Sequence, residues 1–365
     1  MRTSKWQLFR FTLIYFSSQT TIFLIPTIIT SSSYQGWISL FVGCGLSLIV
    51  LWFTIHLGKL KSDQAWVSFG KDIVGKWVHK FMLVLLLSWC VYYASFDIEN
   101  FVLFFASNYL RGTPPLFIQC VIGLVIMYTA SLGFSTIVYM SDGIFLIFII
   151  AITFTFYLFI PGADFNMLPA FLHYHDPGLA IKDSIMVMTW FAEWVVFLFV
   201  APDLKIEIKM LKRLMLAGIC VFLTILIGWM LTLLNFGPRL GQELQYPFLE
   251  MIRSSSFDDL LGNSDPLLIG LWSSSMFIHS SFLIYVAFRC ASYLTKGRGK
   301  KYLIPGLTVI SIAIAYYYSR NLATYFKQYN SFTVVILWLI IECIPVYYTI
   351  IAFLRFRKKE NKTTR

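Results

Sequence analysis

Long apolar runs separated by short polar stretches set the rhythm of this chain. Ten runs, at residues 8–31, 36–56, 80–107, 116–131, 137–160, 182–200, 214–236, 267–294, 302–319 and 332–354, reach or approach the length of a bilayer crossing, which takes about 20 apolar residues as a helix. The pattern predicts an all-α integral membrane protein with ten transmembrane helices, a single membrane domain over residues 1–365.

Composition narrows this further. Of 365 residues 58% are apolar and 13% charged, with a mean hydropathy of +0.73, and this leaves too few residues for a separate cytosolic catalytic domain, a disulfide-stapled module or a disordered scaffold. The net charge of +11 comes from Lys and Arg that fall between the apolar runs, not along one helix face, so a nucleic-acid partner is not expected. Threaded with the N-terminus inside, 22 of the 29 basic residues lie on the inner side and 6 on the outer, while Arg289 lies near the inner end of the eighth run. Basic residues accumulate on the cytoplasmic face, where they meet anionic lipid, so both termini are expected in the cytoplasm, with residues 355–365 as a basic tail. Arg2, Lys5 and Arg10 open the first run without a small-residue cleavage site after it, so that run is read as a retained helix. The six cysteines stand singly, without a C-x-x-C pair, and read as small core residues.

Ionisable groups inside the runs are the informative positions, because a charge at mid-membrane costs about 2.5–3.5 kcal/mol or more unless it faces protein or water. They are Asp97, Glu99, Asp142, Glu193, His279 and Glu342. Glu193 stands half way along its run with no Lys or Arg within one helical turn. In the first run Ser17, Ser18, Gln19, Thr20 and Thr21 place polar side chains on every helix face, with Pro26 beyond. Either the helix is locally unwound beside protein or water, or its hydroxyls bond back to its own carbonyls while Gln19 seeks a partner. Interruptions in the first and sixth of ten helices occupy matching places in two halves of five, as in an inverted repeat with a central binding site, here residues 1–160 and 182–354. Tyr92, Tyr93 and Ser95 in the third run and Ser273, Ser274 and Ser275 in the eighth are placed to add to the lining.

Other chemistry finds little footing. His173, His175 and Asp176 bring donors together without a further ligand cluster, and no phosphate-binding or dinucleotide loop is present, so neither metal nor cofactor is expected. No nucleophile, base and orienting group recur together in the runs, so an enzyme is not expected.

Several stretches resemble the spore germination permeases, the B subunits of nutrient germinant receptors. FAEWVVFLFVAPDL at 191–204, followed by the basic 205–213, resembles that family's mid-sixth-helix Glu, later Pro and lysine-rich inner loop. NMLPA at 166–170, RGTPP at 111–115, the set Tyr128, Gly133 and Asp142, and the stretch 246–272 follow in the family's order and spacing. The resemblance implies a LeuT-like fold of the amino acid, polyamine and organocation transporter type, with two inverted five-helix repeats and a pocket between the first, third, sixth and eighth helices. It also implies receptor A and C subunits as partners, the bacterial inner spore membrane as the location, and a small nutrient such as an amino acid or sugar as ligand. With that pocket the candidate ligand-binding residues are Ser18, Gln19, Thr20, Thr21, Tyr93, Asp97, Trp190, Ala192, Glu193, Ser274 and His279. The chain departs from the pattern it resembles in having Gln19-Thr20-Thr21 where related transporters favour Gly-x-Gly, Glu99 where arginine is frequent and His279 where lysine is common.

Three readings follow: a ligand-binding receptor subunit on a transporter scaffold, an autonomous proton- or cation-coupled amino acid permease, and a purely structural subunit. The full-length resemblance favours the first, and an isolated Glu193 argues against the third.

Overall fold

A computed structural model describes residues 4–173, 176–254, 265–329 and 331–363. Every regular element among them is helical: α1 (Lys5–Gln19), α2 (Ile25–Ser32), α3 (Gly36–Lys59), α4 (Trp66–Val74), α5 (Lys76–Asn108), α6 (Pro115–Ser131), α7 (Phe134–Phe159), α8 (Pro177–Phe191), α9 (Ile208–Glu243), α10 (Pro247–Arg253), α11 (Asp265–Leu294), α12 (Lys300–Arg320), α13 (Leu322–Tyr329), α14 (Phe332–Glu342) and α15 (Ile344–Thr363). The chain is an integral membrane protein. Among the described residues seven stretches are long and apolar enough to cross a bilayer.

The seven do not map one to one onto the ten apolar runs. The first two runs join in one 55-residue stretch, Lys5–Lys59. The fourth forms α6, whose 17 residues rise only about 26 Å against a hydrocarbon core of about 30 Å. The sixth is not one helix either: α8 stops at Phe191 and a tighter 3₁₀ segment, Glu193–Phe199, follows. The tail continues α15 through Thr363.

Local chemistry sets the boundaries. At the start of α1 the Ser4 hydroxyl accepts from the Gln7 amide at 3.1 Å while the Gln7 side chain accepts from the Ser4 amide at 2.8 Å, so two of the helix's orphan donors are met. Asp176 caps α8 by accepting from the Gly178 and Leu179 amides, ahead of Pro177. This carboxylate is therefore engaged in capping, and the His173 ring bonds the Pro169 carbonyl at 2.8 Å; His175 lies outside the described residues.

Burial separates a centre from a periphery. In the most apolar window of Leu268–Leu294 78% of residues are buried, and in that of Lys76–Asn108 61%, against 28% for Lys300–Arg320 and 22% for Phe332–Arg355. So α5 and α11 form the hub, with α1 packed on α11, and α12 and α14 lie outside. Outward-facing Phe117, Leu124, Leu146, Ile147, Ile150 and Leu337 stay exposed, as lipid contact permits. A Cβ added to Gly43 would lie 2.7 Å from a Val187 methyl and 2.9 Å from the Ser184 carbonyl; the bare glycine lets α3 lie against α8.

Ion pairs gather the N-terminus, the loops at 60–65 and 200–207, α4 and α15 at one end. Lys5 pairs with Glu207 at 2.6 Å, Lys205 with Asp63 at 2.9 Å and Lys61 with Asp72 at 2.8 Å, and Arg355 donates to the Asp72 and Ile73 carbonyls. Asp142 is likewise paired, with Arg10 at 2.9 Å. The far end of α5 carries Tyr109, joined to Asp265 and Arg253.

Candidate functional site

Two breaks in α-helical geometry interrupt the first and sixth apolar runs. After Gln19 the first helix passes through one turn of π-helix, Thr20–Leu24, before α2. Ser17, Ser18, Thr20 and Thr21 donate to the carbonyls of Leu13, Tyr15, Phe16 and Ser17 at 2.5–2.8 Å. These back-bonds compete for the ladder's own acceptors and loosen it, yet they keep the carbonyls satisfied, so the chain widens by one residue per turn and does not unwind. The second break is at Ala192, with φ −95° and ψ 10°, where α8 gives way to Glu193–Phe199. The Ser47 hydroxyl donates to the Phe191 carbonyl at 2.6 Å and accepts from the Trp194 indole at 2.8 Å, which fixes the break against α3.

Between the breaks runs a buried polar chain. The Tyr15 hydroxyl donates to Glu193 Oε2 at 2.6 Å. His279 reaches the same oxygen with Nε2 at 3.0 Å and Asp97 Oδ2 with Nδ1 at 2.7 Å. Ser280 donates to that Asp97 oxygen at 2.6 Å, and the Gln19 amide donates to Oδ1. Gln19 Oε1 accepts from Asn100 at 3.3 Å, and Asn100 Oδ1 accepts from Tyr325 at 2.6 Å. The three ionisable side chains are at most 3% exposed. Carboxylates only accept, so with both acids ionised His279 must carry hydrogen on both ring nitrogens. The trio then sums to one negative charge.

Beside this chain lies a cavity of about 650 Å³, within the range of small-molecule sites. Phe23, Phe96, Trp190, Tyr325 and Trp338 supply aromatic walls, Thr27, Thr30 and Thr189 hydroxyls, and Lys182, Asp183 and Glu243 charges. Asn100 and Tyr325 belong to both cavity and chain. Of the residues singled out from the sequence, Gln19, Asp97, Glu193 and His279 meet in the chain, Trp190 lines the cavity and Ala192 makes the break. Tyr93 stacks on Trp338 with centroids 4.5 Å apart and meets the His279 ring edge-on at 5.0 Å. Ser18, Thr20 and Thr21 serve their own helix, and Ser274 bonds the Gly270 carbonyl at 2.6 Å, away from the cluster. Glu99 faces α6 and α12, accepting from Gln119 and Ser319.

Residues 2–324 match the spore permease family, described as spore germination protein. The chain belongs to the spore germination protein family. A curated member, spore germination protein XB of Bacillus anthracis, is 24% identical over 301 residues, 80% of this chain and 81% of that one. Solved structures add the fold. A Na+-coupled sialic acid symporter in a substrate-bound outward-open state aligns with a TM-score of 0.66 at 14% identity, over 88% of this chain and 75% of the symporter. A nucleobase-cation-symport-1 family transporter, closed around bromovinylhydantoin, gives 0.66 at 13%, over 86% and 72%. MhsT in complex with L-phenylalanine gives 0.60 at 17%, over 86% and 79%. This spore germination protein therefore has the fold of LeuT-type transporters.

In this germination protein the residues that sequence reasoning passed over are Tyr15, Asn100, Ser280 and Tyr325. Tyr15 and Tyr325 read as aromatic members of apolar or amphipathic stretches, and Ser280 as a small helix-packing residue. Asn100 was the one visible signal, an amide one position from Glu99 and three from Asp97.

Proposed function

We propose that this chain is the membrane B subunit of a spore nutrient germinant receptor, in the bacterial inner spore membrane, which binds a small nutrient such as an amino acid or sugar in the 650 Å³ cavity and relays the change to A and C subunits. Family membership and the transporter fold support the reading. The observation that carries it is the double role of Asn100, which lines the cavity and joins the chain that runs through Gln19, Asp97 and His279 to Glu193. A ligand that bonds Asn100 competes with Gln19 for its amide and so alters the contacts of Asp97. A receptor and a transporter share such a pocket and differ in what closure leads to.

The scaffold in this reading is ten crossings in two inverted five-helix repeats, 1–160 and 182–354, with both termini cytoplasmic. Its support is that the two departures from α-geometry, at 20–24 and 192–199, fall in corresponding crossings, as repeat-built transporters arrange them. The shared end of Lys5, Lys61, Lys205 and Arg355 is the basic, inner one.

The fold neighbours give a second reading, an autonomous proton- or cation-coupled permease, because a Na+-coupled symporter is among them. Reconstitution separates the two. Purified protein in liposomes should accumulate no labelled amino acid or sugar under an imposed proton or sodium gradient; robust accumulation by this subunit alone overturns the receptor reading.

A further inference from the structure

Among the described residues six acids are buried, Asp97, Glu99, Asp183, Glu193, Asp265 and Glu342, with His279 beside two of them and no buried Lys or Arg. Five have donors: His279, Ser280 and Gln19 on Asp97, Gln119 and Ser319 on Glu99, Ser32 on Asp183, Tyr15 and His279 on Glu193, and Arg253 and Tyr109 on Asp265. Glu342 differs. It ends α14, is fully buried, and neither carboxyl oxygen meets a hydrogen-bond partner.

Its neighbourhood is unusual in the same way. The α14 helix packs on α5 and on the Glu193–Phe199 segment. Glu342 lies within electrostatic reach of Glu193 and of the Tyr93 hydroxyl. That hydroxyl closes no hydrogen bond of normal length, nor does the indole N–H of Trp89, whose ring lies 5.4 Å from Tyr93 and 6.5 Å from Trp338. Glu342 and the Trp89 indole are thus unsatisfied, Tyr93 has only a long contact to Glu193, and beside them lies the Asp97, His279 and Glu193 trio, which with both acids ionised carries one negative charge.

An ionised Glu342 left alone in such surroundings is strongly unfavourable, and a neutral carboxyl there still lacks an acceptor for its proton. A cation resolves both problems. It neutralises Glu342 and takes a lone pair from the Tyr93 oxygen. We propose that Glu342 and Tyr93, backed by Glu193 and walled by Trp89 and Trp338, form a second binding site for a small monovalent cation, an alkali ion or a primary ammonium group. Trp338 is also a wall of the 650 Å³ cavity, so an occupied cation site would brace the cavity from behind. The site does not depend on which nutrient the cavity takes.

The test uses the full chain in lipid nanodiscs, read by its tryptophan fluorescence and by infrared difference spectra in the carboxyl region. Potassium, sodium and methylammonium chlorides are each titrated against choline chloride at constant ionic strength. At least one small cation should give a saturable change that choline does not. Inorganic ions acting alone identify an ion site, and methylammonium acting alone an ammonium site. Glu342→Gln should weaken half-saturation at least about tenfold, and Tyr93→Phe, which removes one oxygen and keeps the ring, severalfold. Glu99→Gln, on another face of α5, should leave it unchanged. Absence of any saturable response in the unaltered protein overturns the proposal. So does an equal response in Tyr93→Phe and Glu342→Gln, or a protonated-carboxyl band lost in Glu342→Gln and indifferent to every salt, which would make Glu342 a neutral acid.

Discussion

Asp97 is the hub of the buried chain, and its replacement by asparagine is the sharpest perturbation of it. The carboxylate is fully buried and takes donors from Gln19, His279 and Ser280. Asparagine keeps one acceptor oxygen, which can take the His279 and Ser280 donors that share Oδ2, but then presents an N–H₂ to the Gln19 donor. One hydrogen bond to a charged group is lost, worth about 1.5–3 kcal/mol, and protonated His279 loses one of its two counter-charges. Breaking a buried pair from one side costs about 3–5 kcal/mol. An ordinary interhelical hydrogen bond in a membrane averages about 0.6 kcal/mol. Unfolding of Asp97→Asn in mixed detergent micelles, followed by tryptophan fluorescence, should therefore show a loss near 3–5 kcal/mol. The His279→Gln double mutant should recover part of it, with a coupling energy of about 0.5–3 kcal/mol. A loss of about 1 kcal/mol or less, with no coupling, refutes the ionic account of the chain.

Three further outcomes follow from the same geometry. Ser280→Ala removes a donor from Asp97 and should cost about 1.5–3 kcal/mol, whereas Ser274→Ala, whose hydroxyl serves only its own helix, should stay within about 0.5 kcal/mol; the same unfolding assay reads both. Outside the membrane, burial alone would raise the Asp265 carboxyl, but hydrogen bonds from Arg253 and Tyr109 outweigh it and hold it below its usual range. A depressed folded value means stability that is present above the unfolded value of about 3.9 and lost as pH falls through the folded one, so acid titration of stability should be steeper in the unaltered protein than in Asp265→Asn. Cysteines placed at Ser62 and Lys300, with the native cysteines replaced, should resist an impermeant label applied from outside, and one at Arg111 should react; the reverse pattern inverts the orientation.

What could be read from the sequence followed the range of each physical signal. Bilayer length and apolar content are local, so the membrane class, most of the apolar helices and the anomaly of Glu193 were visible. The partners of Glu193 were not, because Tyr15 and His279 lie 178 and 86 residues away and the pairing is a product of topology. The polar run 17–21 admitted two outcomes with the same sequence. Its hydroxyls bonded back and gave a π-turn, while Gln19, too long to reach its own carbonyls usefully, found Asp97 on α5. The interruption expected in the sixth run rested on Glu193 alone, and its form, a change from α to 3₁₀ geometry at Ala192, is something apolarity does not report. Glu342 was visible as a buried acid, but its lack of partners emerged only with α5 and the Glu193–Phe199 segment in place.

In the proposed receptor, nutrient binding in the cavity is felt at Glu193. Glu193→Gln keeps size and hydrogen bonding and removes the charge that holds Tyr15 and His279. The decisive measurement is the germination dose-response of spores carrying this variant in place of the natural subunit, with the amount of protein in the spore membrane checked by immunoblot. The dose-response should be displaced to higher nutrient concentration at near-normal protein abundance. An unchanged dose-response at normal abundance would contradict it.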